Sequence, residues 1–193
     1  MKLKILVFMA IAVAAAAVQA HDLSNSVILV AKPELADPIY GSTVLVVTPI
    51  GGGQHAGFIV NRPTDVKLGQ IFPDDRPSQE VVDPVYLGGP FGSQVIFALV
   101  ERKASPGGES FEMMPGLYAT VDADTVDRII RTEPEHTRFV AGLVIWRPGE
   151  LAAEIKNGAW YVLAADAHLA LQKPSQGLWE ELVRTSLLRE NSI

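Results

Sequence analysis

The sequence predicts an α+β fold: a compact single domain with a mixed, largely antiparallel sheet and several flanking short helices. Three observations carry this. Short β-rich runs recur between turn signals and outnumber the helical segments. Several are joined by connections too short to hold a crossover helix, which favours antiparallel pairing. The helical segments that do occur start at recognisable signals and carry apolar residues at helical spacing.

In chain order, strands are expected at residues 27–31, 43–48, 56–61, 85–87, 94–100, 117–121, 138–146 and 159–163. A helix is expected where Thr64-Asp65 precedes Val66, Leu68 and Ile71, and a second where Asp122 serves as N-cap before Val126, Ile129 and Ile130. A third follows Pro148-Gly149, carrying Leu151 and Ile155. The longest follows Ser175, with Leu178, Leu182, Val183 and Leu187 at helical spacing and Trp179 beside them. Residues 73–80 read as a polar, Pro-bounded loop and residues 104–110 as the loop of a β-hairpin. Residues 56–63 and 141–148 echo each other, each an apolar run ending in Arg-Pro ahead of an expected helix. A duplicated strand-turn-helix unit and a coincidence of two β-rich runs both account for the echo.

Composition narrows the function classes. At 193 residues the chain is long enough to bury a substantial core, and 48% hydrophobic content excludes intrinsic disorder. The absence of Cys removes disulfides, thiol nucleophiles, Cys-ligated zinc, iron–sulfur clusters and Cys-linked lipid.

Residues 1–20 read as a signal peptide: Lys2 and Lys4 ahead of an uncharged apolar run, then Val18-Gln19-Ala20 as a small-x-small cleavage site. That run is shorter than the roughly 20 residues needed to span a bilayer, so no transmembrane span is expected after cleavage. The expected location is periplasmic or secreted. Removal of the leader, which holds two lysines and no acid, shifts the net charge from −6 to −8. So acidic a chain, without a Lys/Arg run, is not expected to bind nucleic acid.

Cofactor and metal signatures are not found. Gly51-Gly52-Gly53 is neither a dinucleotide fingerprint nor a P-loop. His21, His55, His136 and His168 show no metal-ligand spacing; cleavage would leave His21 N-terminal with an amine and an imidazole able to meet copper, but no second His follows to support such a site. The run from Asp122 to Asp127 lacks the Gly and terminal Glu of a calcium loop, and Ser residues occur without G-x-S-x-G. Neither a cofactor nor a metal is expected.

The candidate ligand-binding residues are Asn61, Arg62, Arg147, Gly88 and Gly89. Arg62 and Arg147 each end a strand before Pro, and if the two halves pair their guanidiniums would converge on one carboxylate or phosphate. Pairing with Asp65 and Glu150 is the alternative. Asn61 would bind beside Arg62 or close a turn. Gly88-Gly89-Pro90 would form either an anion nest or a tight turn needing positive φ. Trp146, Trp160, Tyr161 and Trp179 lie in or beside apolar runs and are expected in the core, with a partner groove as the alternative.

The chain resembles the YqgE/AlgH family. The resemblance rests on Leu29-Val30-Ala31-Lys32-Pro33-Glu34-Leu35-Ala36-Asp37-Pro38, on Gly57-Phe58-Ile59-Val60-Asn61-Arg62-Pro63 and on Val85-Tyr86-Leu87-Gly88-Gly89-Pro90. Later come Pro148-Gly149-Glu150-Leu151 with Glu154-Ile155, then Ala159-Trp160, Ala164-Ala165-Asp166 and Trp179. It implies a compact single α+β domain and little about activity. Typical members look cytoplasmic, so the leader sets this chain apart. The expectation is an exported, non-enzymatic binding or regulatory module for a small anionic ligand or an envelope protein. The alternatives are an envelope enzyme using a carboxylate or His base, and a structural or assembly protein.

Overall fold

A computed structural model describes residues 22–173 and 175–191; the expected signal peptide lies outside them. Ten strands run in chain order: β1 (Val27–Ala31), β2 (Val44–Gly51), β3 (Gln54–Ile59), β4 (Pro63–Lys67), β5 (Pro84–Leu87), β6 (Phe91–Glu101), β7 (Ser110–Met114), β8 (Leu117–Thr120), β9 (Thr137–Trp146) and β10 (Trp160–Ala164). The helices are α1 (Leu68–Ile71), α2 (Arg76–Glu80), α3 (Ala123–Thr132), α4 (Glu150–Lys156), α5 (Ala167–Leu171) and α6 (Leu178–Glu190).

The strands form one curled sheet in the order β10-β1-β2-β3-β9-β6-β8-β7, with β5 inserted beside β9 and β4 beside β5. Only β5 and β9 pair in parallel; the other described pairings are antiparallel. The α+β expectation therefore holds.

Side-chain alternation explains why β1 and β2 read as unbroken apolar runs. Ile28, Val30, Val44 and Val46 face the concave interior, while Val27, Leu29, Leu45 and Val47 face an outer layer closed by α4 and residues near Leu23 and Tyr40. Strands buried on both faces have no polar side to show. The interior cluster takes Met113 and Met114 from β7, which curls back against β2, and is capped by Ala170 of α5 and Leu178, Leu182 and Val183 of α6. A third cluster sets Val126, Ile129 and Ile130 of α3 against Ala98, Val100 and Phe139.

In β9 the alternation reverses at Gly142. Before it Val140 faces the interior; after it Leu143 does, and Val144 and Trp146 pass to the outer layer. Gly142 sits at φ +72, opposite an irregular stretch of β6 between Phe91 and Ile96, and this bulge lets one strand serve both halves of the sheet.

Several local expectations are corrected. Thr64-Asp65 does not start a helix. Thr64 Oγ1 donates to the Val85 carbonyl at 2.7 Å, which holds residues 63–67 as β4 and leaves α1 a single turn. The polar loop contains α2, started by Asp75, whose carboxylate accepts from the Ser78 amide at 3.0 Å. Residues 104–110 join strands that are not partners, because β8 lies between β6 and β7. The actual hairpin is β7–β8, turning at Pro115-Gly116 with Gly116 at φ +84. Gly177, not Ser175, stands at the N-cap of α6, and α5, capped by Asp166, was not expected at all. The two echoing runs pair with each other through β3 and β9, yet Arg62-Pro63 leads into a strand and Arg147-Pro148 into a helix. They are not a repeated strand-turn-helix unit.

Candidate functional site

Asn61 and Arg62 leave the end of β3 and clamp the loop before β2. The Asn61 amide accepts from the Val44 N–H at 2.8 Å and donates to the Ser42 carbonyl at 3.0 Å. Arg62 donates to the carbonyls of Pro38, Ile39 and Gly41 at 3.3, 2.7 and 3.1 Å. The loop needs holding: Ser42 is at φ +57, the one non-glycine at positive φ among the described residues. The expected pairing with Asp65 is not made, since Arg62 spends its donors on these carbonyls.

Arg147 sits elsewhere. It follows Trp146, which pairs with His55 at the start of β3, whereas Arg62 departs from the opposite end of that strand. The two guanidiniums are not brought together. Arg147 is 83% exposed, with its Nε 3.9 Å from Glu150, while its backbone N–H donates to the same carboxylate at 2.7 Å.

Gly88 and Gly89 form neither a nest nor a tight turn, for neither has positive φ. They mark the fork where β5 enters between β3 and β9: Gly88 donates to the Ala141 carbonyl and accepts from Ile59, both at 2.8 Å. A Cβ on Gly88 would stand 2.3 Å from the Gly142 carbonyl oxygen, and one on Gly89 2.3 Å from that of Leu143. Close backbone approach is what requires glycine here.

The outer layer holds a second polar centre. The indole N–H groups of Trp146 and Trp160 donate to the same Glu154 oxygen at 3.0 and 2.8 Å, and Tyr40 meets Trp160 edge-on with ring centroids 6.3 Å apart. Burial, then the charges of Glu154 and Asp37, push the Tyr40 phenol above its ordinary range. Trp146, Trp160 and Tyr161 are buried as expected, and Trp179, half-buried, donates to the Ala31 carbonyl at 2.7 Å. His55 Nε2 lies 2.9 Å from the Leu23 carbonyl, which makes it the donor and leaves the buried Nδ1 without a partner.

Sequence reasoning missed two features. The first is residues 63–83, an excursion hung on β4 and β5. It exposes Val66, Ile71, Phe72 and, at 80%, Val82. Between α2 and α3 lies a cleft of about 210 Å³ with Pro77, Val81, Ile130 and Pro134 as apolar walls and Glu80 and Arg131 as charged members. Arg131 is held by Asp127 at 2.7 Å and Asp75 at 3.6 Å. The signal was available, since Ile71-Phe72 and Val81-Val82 flank a charged, Pro-bounded stretch.

The second is Arg138 on β9, only 1% exposed. Its Nη1 donates to the carbonyls of Val60 and Ala170 at 2.6 and 2.7 Å, its Nη2 to that of Gln172 at 2.8 Å, and the guanidinium lies 4.4 Å from the centre of the Tyr86 ring. Nothing local in the sequence marks it, because its acceptors are 32 to 78 residues away.

Comparison with known proteins places this geometry. The AlgH-like (DUF179) family pattern matches residues 28–188. A UPF0301 protein of Thermobifida fusca is 33% identical over 168 residues, covering 81% of this chain and 84% of that one. One from Chlorobium phaeobacteroides is 26% identical, covering 86% and 88%. The solution structure of the AlgH protein from Pseudomonas aeruginosa shares the fold with a TM-score of 0.70 at 24% identity, over 86% of this chain and 88% of that one. The crystal structure of protein DIP2367 from Corynebacterium diphtheriae does so at 0.68 and 22%, over 84% and 86%. Over nearly all of its described length, then, the chain belongs to the AlgH-like family.

Proposed function

We propose that this AlgH-like chain is an exported, non-enzymatic binding module that takes a protein partner on the excursion at residues 63–83. The observation carrying the reading is the exposure of Val66, Ile71, Phe72 and Val82 on the same excursion that supplies Pro77, Glu80 and Val81 to the α2–α3 cleft. Several exposed apolar groups interspersed with polar ones on one segment are the usual character of a docking surface. The excursion holds five acidic residues (Asp65, Asp74, Asp75, Glu80, Asp83) against Lys67 and Arg76. A fitting partner presents an apolar anchor flanked by basic side chains. Export is supported by Lys2, Lys4, the uncharged run and the small-x-small site, with the family match beginning only at residue 28.

A photo-crosslinker at position 82, with position 50, also apolar and exposed, as the control, tests the docking surface in intact envelopes. The expected result is one discrete heteromeric adduct from 82, none from 50, and its loss in Phe72→Asp. An adduct of twice the chain's mass would favour self-assembly instead, and no discrete adduct would overturn the reading. Intact mass tests export separately: a chain beginning at His21 supports it, and one beginning at Met1 removes it.

A further inference from the structure

We propose that Arg138 is the receptor of a covered oxyanion site, selective for carboxylate or phosphate groups, and that the segment from α5 to Lys173 is a strap occupying that site in the ligand-free chain. Four observations converge on it. First, the guanidinium is buried with no carboxylate bonded to it among the described residues; the nearby acid, Asp83, pairs with Lys173 instead. Burial pulls the guanidinium below its ordinary value, opposed in part by Tyr86 and Asp83, yet arginine stays charged at neutral pH. Carbonyl dipoles offset the loss of water only partly, so a full charge buried this way favours any anion able to reach it.

Second, the strap imitates such an anion. The carbonyl oxygens of Ala170 and Gln172, two residues apart on one segment, take Nη1 and Nη2 at 2.7 and 2.8 Å. Two oxygens across the planar fork is the arrangement that a carboxylate or phosphate presents. Third, donor capacity is left over, because the Arg138 Nε–H is buried without an acceptor. Fourth, the surroundings are polar and already built. The Tyr86 ring supports the guanidinium at 4.4 Å, and the buried Ser175 hydroxyl donates to the Tyr86 hydroxyl oxygen at 3.3 Å. Beyond the fork, the strap's described polar ties are the Lys173 contacts to Asp83 and to the Glu135 carbonyl and the Asp166 cap on α5. An anion that wins the fork releases the strap, and whatever loosens the strap favours the anion.

The test is a titration of the full processed chain with inorganic phosphate and, separately, citrate, against chloride at equal ionic strength. It follows the Arg138 Nε–H and the strap amides by NMR. Saturable shifts with phosphate or citrate and not chloride are expected, and whichever saturates at lower concentration identifies the class. Asp83→Asn removes the tie to Lys173 and a competing negative charge, and is expected to tighten binding about two- to five-fold, the scale of an exposed ion pair. Arg138→Met is expected to abolish the saturable shifts. Should that variant fail to fold, the wild type and Asp83→Asn still decide. Shifts in both that merely track ionic strength, or none, would mean that Arg138 only fastens the strap and would overturn the proposal. Because the probe and the residues differ, this outcome is independent of crosslinking at position 82.

Discussion

Glu154 joins three elements through one oxygen, so its removal has a calculable cost. Trp146 of β9 and Trp160 of β10, 3% and 4% exposed, both donate to Oε2 of this α4 residue. A hydrogen bond to a charged acceptor contributes about 1.5–3 kcal/mol net, and Glu154→Ala deletes two while leaving both indole N–H groups in apolar surroundings. Glu154 is itself half-buried. Water can therefore reach the vacated position, and the expected loss falls to about 2–4 kcal/mol. Glu154→Gln keeps an acceptor oxygen and loses only the charge, for about 1 kcal/mol. Equilibrium urea unfolding, followed by fluorescence and by far-UV circular dichroism, measures both. With a slope of about 2–3 kcal/mol/M the alanine variant's midpoint drops by roughly 1 M. Tryptophan emission reports the site directly, with Trp179, bonded to the Ala31 carbonyl, unaffected. A loss below about 0.5 kcal/mol for Glu154→Ala, or equal losses for Ala and Gln, would refute the shared-acceptor argument.

Four further outcomes follow from the structure. Gly89→Ala should cost about 3 kcal/mol or more, because the new methyl meets the Leu143 carbonyl at 2.3 Å and a central strand cannot retreat. Gly149→Ala has free space and only its φ of +83 to oppose it, so about 1–2 kcal/mol is expected; equal urea midpoints would remove the distinction. Asn61→Ala should accelerate hydrogen exchange at the Val44 amide and in the loop around Ser42, since it deletes both bonds that fasten them; unchanged exchange would count against the clamp. At Asp122 the hydrogen bonds from the Thr125 side chain and backbone, with Arg128 nearby, hold the carboxyl below its ordinary 3.8. A carboxyl depressed in the folded state stabilises above its unfolded value, and that contribution fades as pH falls through the folded one. Asp122→Asn should therefore flatten the loss of stability below about pH 4 relative to the wild type, measured as urea midpoints across pH 2–6.

The elements that were legible are those whose signal is local. β1 was legible to the residue because two-sided burial writes a continuous apolar run, and α3 because its N-cap and its apolar spacing agree. β4 was not, since Pro63-Thr64-Asp65-Val66-Lys67 is short, mostly exposed, and held extended by a bond to Val85 some twenty residues on. The five-residue α2 has too few turns to show a period, so only its Asp75 cap announces it. β7 is marked by the Pro115-Gly116 turn more than by its own alternation.

The candidate residues divide in the same way. The residue types at Asn61, Arg62, Gly88 and Gly89 each suit several physical roles that one sequence does not separate. A glycine satisfies positive φ and close backbone approach alike, and at the β5 fork it is approach that decides, through atoms contributed from residues 142–144. An arginine beside a turn reads as an anion contact, yet Arg62 spends its donors on three carbonyls of a loop more than twenty residues earlier. Arg138 reads as an ordinary polar residue within a strand. Its environment exists only after β3, β9 and the segment following α5 have come together around it. Long-range closure thus both hides a residue from sequence reasoning and creates the low-dielectric surroundings in which a charge becomes selective. The most informative substitutions in this chain therefore lie at Arg138 and Asp83, whose roles depend on the closed fold, more than at the exposed Arg147.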